Sequence, residues 1–152
     1  MSMRTPRLAA ALAALAGAAT IAACAEQPAA QAVATQDFSV AARDGRCVLT
    51  ARSQEWVLQP KPPCFFVHDE KGRIQTHETR DAASTRLFLI GGTPANPDPD
   101  PVPRDAGPCG TEVQAVAVRA DTVRLLTRIS RGSRICSRQG GVDAKFFELF
   151  DR

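Results

Sequence analysis

The chain carries two histidines, His68 and His77, and both stand beside acids: Asp69 and Glu70 follow the first, Glu78 the second. Imidazole and carboxylate together can hold a divalent metal or move a proton, so this is the natural place to look for a hydrolytic centre. Register decides whether the rings meet. With a two-residue loop at Lys71-Gly72, position 68 faces 75 and 66 faces 77, and both rings share a face. With a three-residue loop at Glu70-Lys71-Gly72 and a bulge, 68 faces 74 and 65 faces 77, and the rings point to opposite faces. The run Asp69 to Arg73 suits the second loop. The expectation is two solvent-facing histidines near a hairpin tip and no metal.

A second scatter of oxygen donors, Asn96, Asp98, Asp100 and Asp105, has the composition of a calcium loop. Prolines between the donors stop the backbone from curling around an ion, and no glutamate stands at a bidentate position. It reads as a solvated loop. The most unusual feature is cationic: Arg119, Arg124, Arg128, Arg131, Arg134 and Arg138 face a single acid, Asp121, between residues 113 and 141. Guanidinium forks suit carboxylates and phosphates, so Arg124, Arg128, Arg131 and Arg134 are the candidate partner-binding residues. The competing reading is the charged outer face of a hairpin, guarded against edge-to-edge association. Catalytic signatures are missing: there is no Gly-x-Ser-x-Gly elbow, no Ser-x-x-Lys and no glycine-rich phosphate loop. Without tyrosine and with one tryptophan, stacking surfaces for sugars or single strands are poorly supplied. No catalytic residue, metal or cofactor is expected.

The N-terminus has its own logic. Met1 to Arg7 carries two positive charges, and Leu8 to Ala23 is uncharged and rich in alanine. This is the order of an export signal, and the apolar run is short and weakly hydrophobic for a membrane span. It ends in Ile21-Ala22-Ala23-Cys24, which resembles the lipobox of bacterial lipoproteins. The resemblance covers residues 1 to 24 only. It implies cleavage before Cys24, a diacylglycerol on the Cys24 sulfur and an acyl chain such as palmitate on its amine, since stable anchoring takes more than one chain. Ala25, where an aspartate would signal retention, is similar to lipoproteins passed to the outer membrane. Loss of Arg4 and Arg7 would lower the net charge from +3 to +1, which argues against a dedicated nucleic-acid binder.

With Cys24 assigned to lipid, Cys47, Cys64, Cys109 and Cys136 remain, an even number in a chain bound for an oxidising compartment. Two disulfides are expected. Of three possible pairings, Cys47 with Cys64 and Cys109 with Cys136 close the shortest loops, each able to fold as a hairpin unit. A thiolate zinc site would need ligands in close pairs, and these cysteines are well separated.

Those staples need elements to join. Residues 24 to 41 are rich in Ala, Gln, Val and Thr and read as a tether, with the folded unit drawn at 42 to 152. Within it apolar residues alternate with period two in short pieces, which predicts a mainly β, antiparallel barrel or sandwich of about seven or eight strands. Cys47, Leu49 and Ala51 share one face of an early strand. Thr85 to Ile90 is apolar on both faces, a central strand that Gly91-Gly92 is expected to end. Residues 93 to 108 hold six of the eleven prolines and must be a loop. Val113 to Arg119 and Thr122 to Ser130 form the best hairpin, with Val123 and Leu125 on one face and Arg124 and Arg128 on the other. Its Ala120-Asp121 link lacks glycine, which predicts a turn longer than two residues. Arg131-Gly132-Ser133 reads as another turn. At the end, Val142, Phe146, Leu149 and Phe150 share a helical face that Asp143 would cap, which reads as a short helix laid on the sheet, with a last strand as the alternative because Lys145 to Phe150 is short and aromatic-rich.

The functional expectation is a lipid-anchored, non-enzymatic binding module of the bacterial cell envelope, in the outer membrane facing the periplasm, with an envelope or secreted protein as partner. By analogy of architecture alone, an inhibitor or protective protein fits the description. The alternatives are a metal-dependent hydrolase using His68 and His77, or a structural component of an envelope assembly held through the arginine-rich hairpin.

Overall fold

A computed structural model describes residues 37–80, 84–94 and 103–151. The export segment, Cys24, most of the tether and the donors Asn96, Asp98 and Asp100 lie outside the described residues. Eight strands and one helix follow in order: β1 (Phe38–Arg43), β2 (Arg46–Ala51), β3 (Gln54–Val57), β4 (Phe65–Phe66), β5 (Thr76–Glu78), β6 (Arg86–Pro94), β7 (Cys109–Arg119), β8 (Thr122–Cys136) and α1 (Ala144–Glu148). The fold is mainly β, two antiparallel sheets in a sandwich-like arrangement that does not close into a barrel. None of the described helices is long and apolar enough to cross a membrane.

The first sheet is a meander, β1-β2-β3, closed by two tight turns. Arg43 pairs with Arg46 across Asp44-Gly45, both at positive φ, a conformation that aspartate tolerates and glycine adopts without cost. Phe38 is buried in this sheet, so β1 takes the last residues of the stretch read as tether. The boundary at residue 42 is therefore too late. Phe38 and Val40 alternate as the start of a strand would, but with a polar, alanine-rich flank this signal is too short to move the boundary from sequence alone.

The second sheet runs β4-β6-β7-β8, with β5 also on β6. Phe65 and Phe66 pair with Gly91 and Ile90, and Thr76 to Glu78 pair with Phe88 to Arg86. β4 and β5 are thus two pieces of one edge, and residues 67 to 75 leave it as a side excursion. They fold back on themselves as a short hairpin: His68 bridges Ile74, the Asp69 N–H donates to the Arg73 carbonyl at 2.8 Å and the Gln75 N–H to the Val67 carbonyl at 2.9 Å. Position 68 thus faces 74 as the three-residue loop requires, whereas His77 pairs with Leu87 on β6 and not with Phe65.

Two cores follow from the alternation. Phe88, Ile90, Val116 and Val118 face the first sheet and meet Phe38, Leu49, Ala51 and Leu58. Leu87, Leu89, Val113, Ala115 and Ala117 face the other way and meet Phe147 and Phe150. β6 and β7 are covered on both sides, which is why their sequences are apolar at nearly every position. Asp143 caps α1 as expected, its Oδ1 accepting from the Lys145 N–H at 2.9 Å. The expected stripe is corrected in one respect: Phe147 and Phe150 are buried, whereas Leu149 is 39% exposed.

The disulfides are Cys47–Cys64 and Cys109–Cys136, the two short-range pairings. The first ties the first sheet to the segment leading into β4. The second joins residues already opposite one another in the β7–β8 register.

Three expectations about turns are corrected. β6 does not stop at Gly91-Gly92 but continues to Pro94, because a glycine pair here serves close approach between strands. The β7–β8 turn is two residues long, Arg119 opposite Thr122, with Ala120 at φ 49°. Arg131-Gly132-Ser133 lies inside β8, in one of two irregularities where β8 carries extra residues opposite β7.

Candidate functional site

The first irregularity in β8 shapes the most suggestive surface. β7 contributes Gln114, 2% exposed, in an otherwise apolar strand. Its Nε2 donates to the Leu126 carbonyl at 2.8 Å and its Oε1 accepts from the Gln59 N–H at 2.9 Å. The Gln59 side chain in turn donates to the Thr127 carbonyl at 3.1 Å. The backbone groups that the irregular stretch withdraws from the ladder are thereby satisfied, and β8 holds its shape. Sequence reasoning missed Gln114, although a lone amide within Val113 to Val118 was the available signal.

Next to this stretch lies a groove of about 480 Å³. Its lining includes Leu87 and Ala117 of β6 and β7, Arg124, Leu126 and Arg128 of β8, Thr79 and Thr85, and Phe150 and Asp151 after the helix. Arg124 is opposite Ala117 in register, which aims it to the helix side of the sheet. Both arginines are exposed and form no ion pair with the described acids.

The other arginines are elsewhere. The Arg131 Nε donates to Glu112 Oε1 at 2.9 Å. Glu112 also accepts from the Thr93 hydroxyl at 2.7 Å, and these two hydrogen bonds, the hydroxyl first, hold its carboxyl below the usual glutamate range. Arg134 and Arg138 line a separate hollow with Pro103, Asp105 and Ala106. Asp121, the one acid within the run, is bound at 2.7 Å by Arg52 from the β2–β3 turn of the other sheet. The structure brings Arg124 and Arg128 into one groove and keeps Arg131 and Arg134 out of it.

The histidines are placed in different surroundings. His68 Nδ1 lies 3.1 Å from the Ser137 carbonyl and 3.0 Å from its hydroxyl, and that hydroxyl donates to the Phe66 carbonyl at 2.9 Å. Through these contacts Ser137, just past the end of β8, ties that strand to β4 and to the segment after it. His77 stacks on Phe147, ring centroids 5.0 Å apart. Asp69, read beside His68 as a possible ligand, accepts from the backbone N–H groups of Arg73 and Lys71, both at 2.9 Å, and from the Arg73 side chain. Led by the Arg73 backbone N–H, these bonds lower its pKa. Gly72 completes this turn at φ 73°. Among the described residues no three of His, Cys, Asp and Glu gather as a metal site.

No protein-family model, curated protein or solved structure matches the chain.

Proposed function

We propose that the chain is a lipoprotein of the bacterial cell envelope, lipidated at Cys24, whose disulfide-stapled β domain binds another envelope or secreted protein without catalysing a reaction. The observation that carries this reading is Ile21-Ala22-Ala23-Cys24 placed directly after a charged and then an apolar run. Two disulfides in a small domain support an oxidising destination, and the Arg124–Arg128 groove offers a surface for a partner. In extended form, residues 24 to 37 reach on the order of 45 Å, enough for the domain to stand clear of the lipid headgroups. Ala25 favours the outer membrane, facing the periplasm.

The metal-dependent hydrolase has less support, since among the described residues no three of His, Cys, Asp and Glu gather around His68 or His77. A structural envelope component would use the same groove and differs only in the size of what it holds.

Intact mass of the chain extracted from bacterial membranes, under denaturing conditions and before and after reduction, tests the proposal. A chain beginning at Cys24, heavier by its acyl groups and gaining four protons on reduction, is the expected result. A chain without lipid and with four free thiols overturns it.

A further inference from the structure

Resting on the reading of the chain as a binding module, we infer that the groove beside β8 seats a protein segment presenting a carboxylate side chain next to an apolar one. The carboxylate goes to Arg124 and Arg128; the apolar group goes to Leu126, Phe150 and Leu149.

Three observations converge. Arg124 and Arg128 line the groove with one acid, Asp151, and neither forms an ion pair with it or with any other described acid, so the lining keeps a surplus of positive charge, while Arg52, Arg73 and Arg131 each have a partner. Two cations left side by side attract an anion by simple complementarity, and guanidinium binds carboxylate with two parallel hydrogen bonds. Apolar groups stand among the threonines of the lining: Leu126 and the edge of the largely buried Phe150 belong to it, and Leu149, outside the lining but next to Phe150 in the chain, is one of two large apolar side chains left exposed among the described residues. Arginine set beside apolar groups is the composition of an interface anchor.

A membrane surface or a polyanion is a poorer match. Both favour a broad field of cations, and the fold divides the arginines, giving Arg131 to Glu112 and placing Arg134 and Arg138 in another hollow. The volume of about 480 Å³ takes a few side chains of a segment.

The whole chain, isotope-labelled and isolated from bacterial membranes in a neutral detergent, can be titrated with the peptide acetyl-Leu-Glu-Glu-Leu-amide and followed by amide NMR. Parallel titrations use the peptide with Gln for Glu, the peptide with Gly for Leu, inorganic phosphate, and vesicles containing phosphatidylglycerol. The expected result is saturable shifts at 124–128 and 149–150 with the first peptide, weakened about tenfold or more by Arg124→Glu with Arg128→Glu. Leu149→Ser weakens binding severalfold, and Arg46→Glu, an exposed charge at the β1–β2 turn of the other sheet, leaves it unchanged. Absence of shifts in the groove, indifference to the arginine variants, or binding as strong with phosphate or vesicles alone overturns the inference. The two proposals fail separately. Lipidated, disulfide-bonded protein whose peptide binding ignores Arg124 and Arg128 sinks the groove alone, and unlipidated protein that still binds the peptide there sinks the envelope reading alone.

Discussion

Gly110 on β7 lies so close to Gly92 on β6 that a β-carbon at position 110 would stand 2.2 Å from the Gly92 carbonyl oxygen. Gly92 is equally hemmed in, its own β-carbon position lying 2.5 Å from the Lys61 carbonyl oxygen. Because the obstacles are backbone atoms, no rotamer change relieves them. Gly110→Ala is therefore expected to destabilise the domain by about 1–3 kcal/mol, the usual cost of overpacking, with a lower urea midpoint at unchanged slope. Gly132→Ala provides the contrast, because its β-carbon meets nothing within 4 Å and only its φ of 87° resists the change.

Glu112 fastens the same end of the molecule. Its folded-state pKa is lowered by Thr93 and Arg131, so its contribution to stability is fully present above the unfolded value and is lost as pH falls through the folded one. Stability should thus decline as the pH drops below about 4.5, the ordinary glutamate value. Asp69, lowered by the Arg73 and Lys71 hydrogen bonds, acts in the same direction. Glu112→Gln should flatten this acid limb and lower stability near neutrality. An unchanged pH profile in urea titrations would show that Glu112 does not contribute.

Removing Cys47–Cys64 by serine substitution at both positions should cost about 3 kcal/mol on the chain-entropy model. This bridge also joins the two sheets, with Cys47 fully buried between them. Replacing Cys109 and Cys136 should cost a similar amount, but their strands remain paired through the rest of β7 and β8. Hydrogen exchange should accordingly show the first sheet loosening in the former variant, with little change there in the latter.

The five-residue α1 is too short to persist by its own propensity. Its stability comes from Phe147 and Phe150, which cover the second core. Phe147→Ala should cost about 3–5 kcal/mol, by the lost burial and the cavity left under His77, whereas Asp143→Ala, which removes only the cap, should cost about 1 kcal/mol. Equal effects in thermal unfolding would contradict this ordering.

Groove binding has its own test above, and the placement of its residues shows where sequence reading works. Period-two alternation was enough for the mainly β class, the central position of β6 and the separation of Leu125 from Arg124 on opposite faces of β8, because strand geometry enforces that period locally. Cysteine parity was enough for two staples and short loops favoured the pairing observed, but the choice among three pairings was made by the tertiary structure. Asp143 as a cap was legible because capping is a matter of neighbouring residues, whereas the choice of helix over a last strand came from packing of Phe147 and Phe150 on the sheet.

What adjacency in the chain does not contain, the tertiary structure decided. His68 and His77 looked like one site because few residues separate them, yet the first is tied to Ser137, near the end of the chain, and the second is stacked on Phe147 in the helix. Six arginines looked like one patch until Glu112 took Arg131 and the irregular stretches of β8 directed the rest. Glycines that read as a strand end proved to be where two backbones nearly touch. Local chemistry sets periodicity, caps and staples through forces acting over a few residues. The neutralisation of a charge or the need for a missing side chain depends on groups brought near by folding, and their sequence separation holds no record of that distance.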